Sequence, residues 1–244
     1  MLFRSSWAKG FNLQPNPSAK VNIFFTGENE RPPYGDWDAY LSFDLHDFRS
    51  KNAYLPLWWV TCTDLAGPKN APYLGEVISV ENLLKSRKID FKLRKKFCVA
   101  FIGKAYPFRM QALSALSEIQ KVEVFGAIAR KDVQSKFKES QNYKFVFAFE
   151  NDLYPGYVTE KVVEAWATGA IPLYWGSDPA KYINPKAIIN LADFDSMKEF
   201  VNFVAKVNAD SILWEDIASQ PILLKRPDLT EVNRVLQKAL MRLK

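Results

Sequence analysis

The run Asn142–Ser177, NYKFVFAFENDLYPGYVTEKVVEAWATGAIPLYWGS, constrains the fold more than any other stretch of the chain. Residues 144–149 are apolar and rich in aromatics, too few for an ordinary helix, and they predict a strand buried on both faces. The run stops at Glu150-Asn151, and a loop with Pro155 and Gly156 follows. Helical spacing then begins behind Thr159, a side chain suited to an N-cap, and continues over 159–168. Residues 170–175, AIPLYW, predict the next strand.

The same alternation runs through most of the chain, which is the mark of an α/β fold. VNIFFTG (21–27), AYLSFDL (39–45), AYLPLWWV (53–60), KFCVAFIG (96–103), KVEVFG (121–126) and AIINL (187–191) predict strands. PFRMQALSALSEIQ (107–120), KDVQSKFKESQ and SMKEFVNFVAKV (196–207) predict helices, and PYLGEVISVENLLKSRKI a loop leading into a short one. Near the C-terminus an apolar stripe of Leu229, Val232, Leu236, Leu240 and Leu243 opposes Arg234, Lys238 and Arg242, the pattern of an amphipathic helix. A chain of 244 residues can form one large domain or two small ones.

The net charge of +6 is unevenly placed. Residues 83–96 carry seven cations against Asp90, and the last twenty residues carry six against Asp228 and Glu231. Such runs predict solvated faces, with attraction of an anionic ligand or an anionic membrane surface as the alternative. The stretch 83–95 is the expected hinge between an N-terminal and a C-terminal half. No zinc spacing, helix-turn-helix or RNP-like strand points to nucleic acid. Two cysteines, Cys62 and Cys98, make no disulfide framework, and the single histidine, His46, argues against a His-rich metal site or a Ser-His-Asp triad. With no apolar run long enough to span a bilayer and no signal-peptide core in MLFRSSWAKGF, the expectation is a cytoplasmic chain, its C-terminal helix either docked on the inner membrane face or packed on the second half. Trp7, Trp58, Trp59, Trp166, Trp175 and Trp214 read as packing residues first and sugar platforms second.

The chemistry concentrates at the turn after residue 149. Unpaired backbone N–H groups and a partial positive charge make a helix N-terminus an anion site. Lys161 in the first turn opposes that dipole, a conflict that a bound phosphate removes; pairing with Glu160 or Glu164 is the bland alternative. Glu150 and Asn151 fall at the carboxyl end of a parallel strand, where α/β folds bind ligands. Glu160 has the chemistry to accept from ribose hydroxyls, and Tyr157 to pack on a base or donate to a phosphate. Together they suggest a nucleotide diphosphate carrying a sugar.

The segment FAFENDLYPGYVTEKVVEAWATGAIPLYWGS, with FFTGENERPP and AYLSFD upstream and KKFCVAFIGKAYPFRMQAL between, resembles glycosyltransferase family 10, the α1,3/α1,4-fucosyltransferases, and its bacterial members above all. The resemblance runs over roughly residues 21 to 205 in the family's order. It implies a GT-B-like α/β fold of two Rossmann-like lobes and inverting transfer of L-fucose from GDP-fucose to a glycan acceptor, in GlcNAc-containing chains through an α1,3 linkage. It implies lobes at 1–92 on the acceptor side and 93–226 on the donor side, with 227–244 as the basic helix. Position by position, Lys161 and Arg109 hold the diphosphate, Glu160 binds the ribose, Tyr157 sits at the diphosphate or sugar, and Glu150, Asn151 and Thr159 belong to the same GDP-fucose pocket. Glu28 is the general base, with Glu30 in competition. No metal is obligatory, Mn or Mg being at most stimulatory.

The chain departs from the family in having about twenty residues before TGEN, one glycine in VFGAIAR and no heptad repeats near its end. These predict a shortened N-terminal lobe and leave the acceptor open. A non-catalytic nucleotide-sugar or glycan binder and a transferase using another GDP-sugar stand as alternatives. Asp193-Phe194-Asp195 has the D-x-D form of metal-dependent transferases, but its place between a strand and a helix predicts capping instead.

Overall fold

The computed structural model describes residues 4–5, 14–31, 35, 37–62, 65 and 78–243; Trp7, Pro32 and residues 72–77 of the expected loop lie outside the described residues. Every ladder between its strands is parallel. β1 (Arg4–Ser5), β2 (Ile23–Phe25), β3 (Ala39–Ser42) and β4 (Asn52–Tyr54) pair in sequence order. A short helix, α1 (Val80–Leu83), leads to the second half. There β5 (Lys96–Phe101), α2 (Pro107–Ser117), β6 (Val122–Phe125), α3 (Lys136–Ser140), β7 (Tyr143–Phe149), α4 (Glu160–Ala167), β8 (Ile171–Trp175) and β9 (Ile189–Asn190) follow one another. α5 (Met197–Ala209), α6 (Ser211–Ser219) and α7 (Thr230–Leu240) complete the chain.

The second sheet has the order β6-β5-β7-β8-β9. From β5 the chain steps one way to β6 and then returns to the other flank of β5 as β7. The loops leaving β5 and β7 therefore diverge, and a crevice opens between their carboxyl ends, where open parallel sheets bind ligands.

Both faces of this sheet are covered, as a parallel sheet requires. Phe145, Phe147 and Phe149 point to one face, under Leu113 and Leu116 of α2, Phe200 and Val204 of α5 and Trp214 of α6. Val146 and Ala148 point to the other, against Val162, Val163 and Trp166 of α4. That second layer does not end at the sheet. It continues without a break into Ile23, Leu41, Trp58 and Trp59 of the first half and Val232, Val235 and Ala239 of α7. This layer serves both sheets, while the face under α2, α5 and α6 belongs to the second half alone.

Four expectations change. The run 53–60 is not one strand: Pro56 has no N–H to give a ladder, β4 ends at Tyr54, and Leu57–Thr61 forms a 3-10 turn. The stretch 83–95 is not a hinge but is stitched down, with Leu83 buried, the Arg87 amide on Ser219 O and the Phe91 amide on Glu215. Two of its cations are only partly exposed and turn inward. Arg87 donates to the carbonyls of Trp166, Ala170 and Ala218 and lies 3.9 Å over the Trp166 ring; Arg94 donates to those of Thr168 and Ser140. Finally, α7 crosses back to pack on β3 and β4 rather than on the second half. Val232, Val235 and Ala239 are buried there with Leu229 and Leu236 packed against the same cluster, Arg242 pairs with Asp38 and Arg234 with Glu231, so most of the apolar face is covered inside the molecule. No helix among the described residues is long and apolar enough to cross a membrane.

α6 is not among the expected helices. Its signal was present: Asp210 accepts from the amides of Ile212 and Leu213, and Trp214 and Ala218 fall one turn apart on the buried face.

Candidate functional site

Two turns meet over the crevice. The turn after β5 leads into α2, with Pro107 at the first helical position and Arg109 one turn in. The turn after β7 carries Glu150 and Asn151. Arg109 Nη1 donates to Asn151 Oδ1 at 3.0 Å, so the two turns are joined across the switch point. The Arg109 side chain is otherwise enclosed, with its guanidinium 5.9 Å above the Phe147 ring and its Nε without a hydrogen-bond partner. Burial lowers its pKa, while Glu150, Tyr106 and Tyr157 act in the opposite sense.

Thr159 is the N-cap of α4, as its position predicted, and its hydroxyl accepts from the Lys161 amide. The Lys161 ammonium turns back under the helix end, 3.1 Å from Glu150 Oε2 and 2.8 Å from Thr159 Oγ1. Neither Glu160 nor Glu164 is its direct partner. Burial works against the Lys161 charge, yet Glu150 and Glu160 more than offset it and the pKa is raised. Arg109 is near enough for its charge to bear on Lys161 as well. Two cations thus converge beside a helix N-terminus.

Glu150 is withdrawn from the pocket surface to which the resemblance assigned it. It is fully buried, and its oxygens are taken by the Thr159 amide and hydroxyl at 2.7 Å each, by Lys161 and by the Tyr174 hydroxyl at 3.4 Å. A carboxylate with that many donors is a fixed support. Its task is to hold Lys161 where the helix dipole alone would repel it. Tyr174 was not anticipated, because nothing in a buried strand marks one hydroxyl as functional.

Tyr157 is buried with its ring 5.0 Å from Phe43, and burial foremost, then the charges of Glu150, Glu28 and Glu160, push its phenol pKa up. It remains a hydrogen-bond donor throughout the physiological range. Glu160, first residue of α4, has one buried carboxylate oxygen without a partner. Arg109 Nε and Glu160 Oε2 are the kind of unsatisfied atoms that folded proteins rarely leave without reason.

The first half closes over this site from above. Glu28 follows β2 in a turn held by Thr26, whose hydroxyl accepts from the Glu28 amide, and its charge reaches the Tyr157 phenol. Asn29 donates to Asp152 at 2.9 Å, and Tyr54 OH to Gly156 O at 3.2 Å. Glu30 is exposed, and Arg31 pairs with Asp44 and lies 4.6 Å over Tyr154 rather than serving Glu30. At Gly156, φ is +88° and a Cβ would lie 2.3 Å from Phe43 O, so only glycine lets the halves approach this closely.

Asp193 and Asp195 do not cap α5. Ser196 takes that role, accepting from the Glu199 amide, and Asp193 lies in a preceding 3-10 turn. No group of three His, Cys, Asp or Glu side chains among the described residues is placed to hold a metal. Cys62 and Cys98 are free and buried.

A family model described as the C-terminal part of glycosyltransferase family 10 (fucosyltransferase) matches residues 92–216. The α-(1,3)-fucosyltransferase FucT of Helicobacter pylori is 29% identical over 205 residues, covering 75% of this chain and 43% of that protein. A putative fucosyltransferase of Acanthamoeba polyphaga mimivirus is 30% identical over 155 residues, 57% of this chain and 26% of its own. The chain therefore spans less than half the length of these relatives. A crystal structure of an α1,3-fucosyltransferase with GDP-fucose superposes with a TM-score of 0.71 at 25% identity, covering 94% of this chain and 76% of that one. Another with GDP gives 0.69 at 26% identity, covering 97% and 80%.

Proposed function

This chain belongs to glycosyltransferase family 10 and has its GT-B-like α/β fold, and from that premise we propose that it transfers L-fucose from GDP-fucose to a hydroxyl of a GlcNAc-containing glycan, with inversion. Residues 1–92 form the acceptor side in this reading and 93–226 the donor side. The observation that carries it is the convergence of Arg109 and Lys161 on the switch point, tied by Asn151 and backed by the N-terminus of α4.

A GDP diphosphate takes the place between these cations. The acceptor hydroxyl attacks the anomeric carbon from the face opposite the phosphate. The new C–O bond forms as the old one breaks, GDP leaves with the electron pair, and the hydroxyl proton passes to a base on the first half. Glu28 suits that role, since it stands at the carboxyl end of β2 facing Tyr157. The leaving charge falls on Arg109, Lys161, the Tyr157 hydroxyl and the helix N-terminus, an electrostatic cradle fixed before reaction. Glu160, with its unpartnered oxygen, receives the ribose hydroxyls. No metal is required by this arrangement, and turnover should survive EDTA.

Calorimetry with GDP tests the donor site. Lys161→Ala and Arg109→Ala should each weaken binding roughly ten- to a hundred-fold, the scale of a charge-assisted hydrogen bond. Unchanged affinity in both folded variants would remove the assignment. Glu28→Gln should keep GDP affinity and lower kcat about a hundred-fold. Normal turnover there, with loss in Glu30→Gln, moves the base to Glu30.

A further inference from the structure

Lys161 borders not only the crevice but also a recess of about 40 Å³ between α3, α4 and the sheet. α3 supplies Lys136 and Ser140 to this recess, α4 supplies Glu164 one turn after Lys161, and β5 and β7 add only apolar side chains. Ser140 and Glu164 are buried, and Ser140 Oγ and Glu164 Oε1 have no hydrogen-bond partner in the protein. The space takes about two or three waters. It is a polar site that the donor chemistry leaves unused.

The charged groups that face Glu164 are few. Lys136 of α3 lies 3.7 Å from Oε2, and Lys161 and Glu160 act along α4 itself. Arg94 comes near through a guanidinium already committed to the carbonyls of Ser140 and Thr168. Burial foremost pushes the Glu164 pKa up to about 7, against the pull of both lysines and with the help of Glu160. The carboxyl is therefore neutral on the acid side of that value and ionised above it. Ionised, it sets a further negative charge beside Lys161, which Glu150 already engages, and beneath the seat of the phosphates. Neutral, it leaves Lys161 to Glu150 and the ligand.

We propose that Glu164 is a positioning residue for the donor site: acting through Lys161, the charge it carries sets how firmly the crevice holds a diphosphate. The proposal rests on the transferase reading, because it takes Lys161 to hold that diphosphate. Donor affinity then falls as pH rises through neutrality, and binding near pH 7 draws a proton onto Glu164.

GDP-fucose is the probe, because both its phosphates are esterified and neither titrates near pH 7, unlike the terminal phosphate of GDP. Calorimetry without acceptor should show its Kd rising about five-fold from pH 6 to 8.5. Glu164→Gln should hold the low-pH affinity across that range. Lys136→Met, which removes a cation favouring the ionised form, should move the midpoint upward. Titration at pH 7 in buffers of different ionisation heat should show proton uptake in the wild type and none in Glu164→Gln. Wild-type affinity independent of pH, or an unchanged slope in folded Glu164→Gln, would overturn the inference and leave the transferase reading standing. Without that variant the other two measurements decide: no proton uptake in the wild type and no midpoint shift in Lys136→Met would overturn it equally. Failure to bind GDP-fucose at any pH would remove the transferase reading and this inference with it.

Discussion

The two ends of α4 both meet partly buried cations, and they meet them in opposite ways. At the C-terminal end Arg87 and Arg94 donate to the last carbonyls, where positive charge agrees with the helix dipole. Gly169, at φ +90°, lets the Arg94 guanidinium lie where any Cβ would be, so this end is sealed by the chain itself. At the N-terminal end Lys161 opposes the dipole and stands only because Glu150 is buried beneath it. Polar atoms nearby, Arg109 Nε and Glu160 Oε2, have no partner in the protein. The contrast separates two uses of the same chemistry: one end is completed for stability, the other is held ready for something from outside.

Substitutions at each end should therefore fail in different measurements. The largest effect is expected from Glu150→Ala, which strands the Lys161 ammonium without its carboxylate. Urea unfolding should show a loss of about 3–5 kcal/mol, the cost of breaking a buried pair on one side. A loss below 1 kcal/mol would mean that Lys161 finds water or another partner and that the support is dispensable. Next comes Arg87→Met, which keeps the packing on Trp166 and removes the donors to three carbonyls. Stability should fall by about 2–3 kcal/mol, yet GDP affinity of the folded protein should not move. A ten-fold drop in that affinity would show the two ends to be coupled and break the contrast.

The smallest effect lies between the ends. Glu164, in the middle of α4 and 3.7 Å from Lys136, has its pKa pushed up to about 7, chiefly by burial. A carboxyl whose folded pKa is raised holds its proton longer in the folded state. Its contribution is fully present below the unfolded value near 4.5 and is lost as pH rises through about 7. Glu164→Gln should accordingly stabilise the protein above pH 7 by about 2 kcal/mol and flatten its stability between pH 4.5 and 7. A variant that is less stable than the wild type at pH 8 would show the Lys136 pair to outweigh the burial.

How much of this could be read from residues alone differs between those same two ends. Thr159, Lys161, Glu160 and the strand before them lie within twenty residues, and local rules of capping and period locate them. What the sequence hides is the partner. Glu150 and Lys161 were both singled out, yet only the folded turn shows that one supports the other instead of sharing a ligand. Arg87 and Arg94 were less legible still. They sit in a run of cations that reads as a solvated face, and their acceptors are carbonyls 46 or more residues away, which carry no side-chain signature. The C-terminal helix misled for a related reason: an apolar stripe states that something covers it, not what. Pro56, by contrast, is a break that the residues alone display.

The apolar layer that joins the two sheets has a thermodynamic consequence. Val162, Val163 and Trp166 face their own sheet and Trp58 and Trp59 at once, and α7, last in the chain, is buried against strands from the beginning. The second half would keep the face under α2, α5 and α6, but the layer it shares with the first half would be laid open to water. Heating should then produce one heat-absorption peak rather than two, with calorimetric and van't Hoff enthalpies in agreement. Access to the crevice cannot come from the halves swinging freely apart, because that motion exposes the same apolar surface that holds the molecule together.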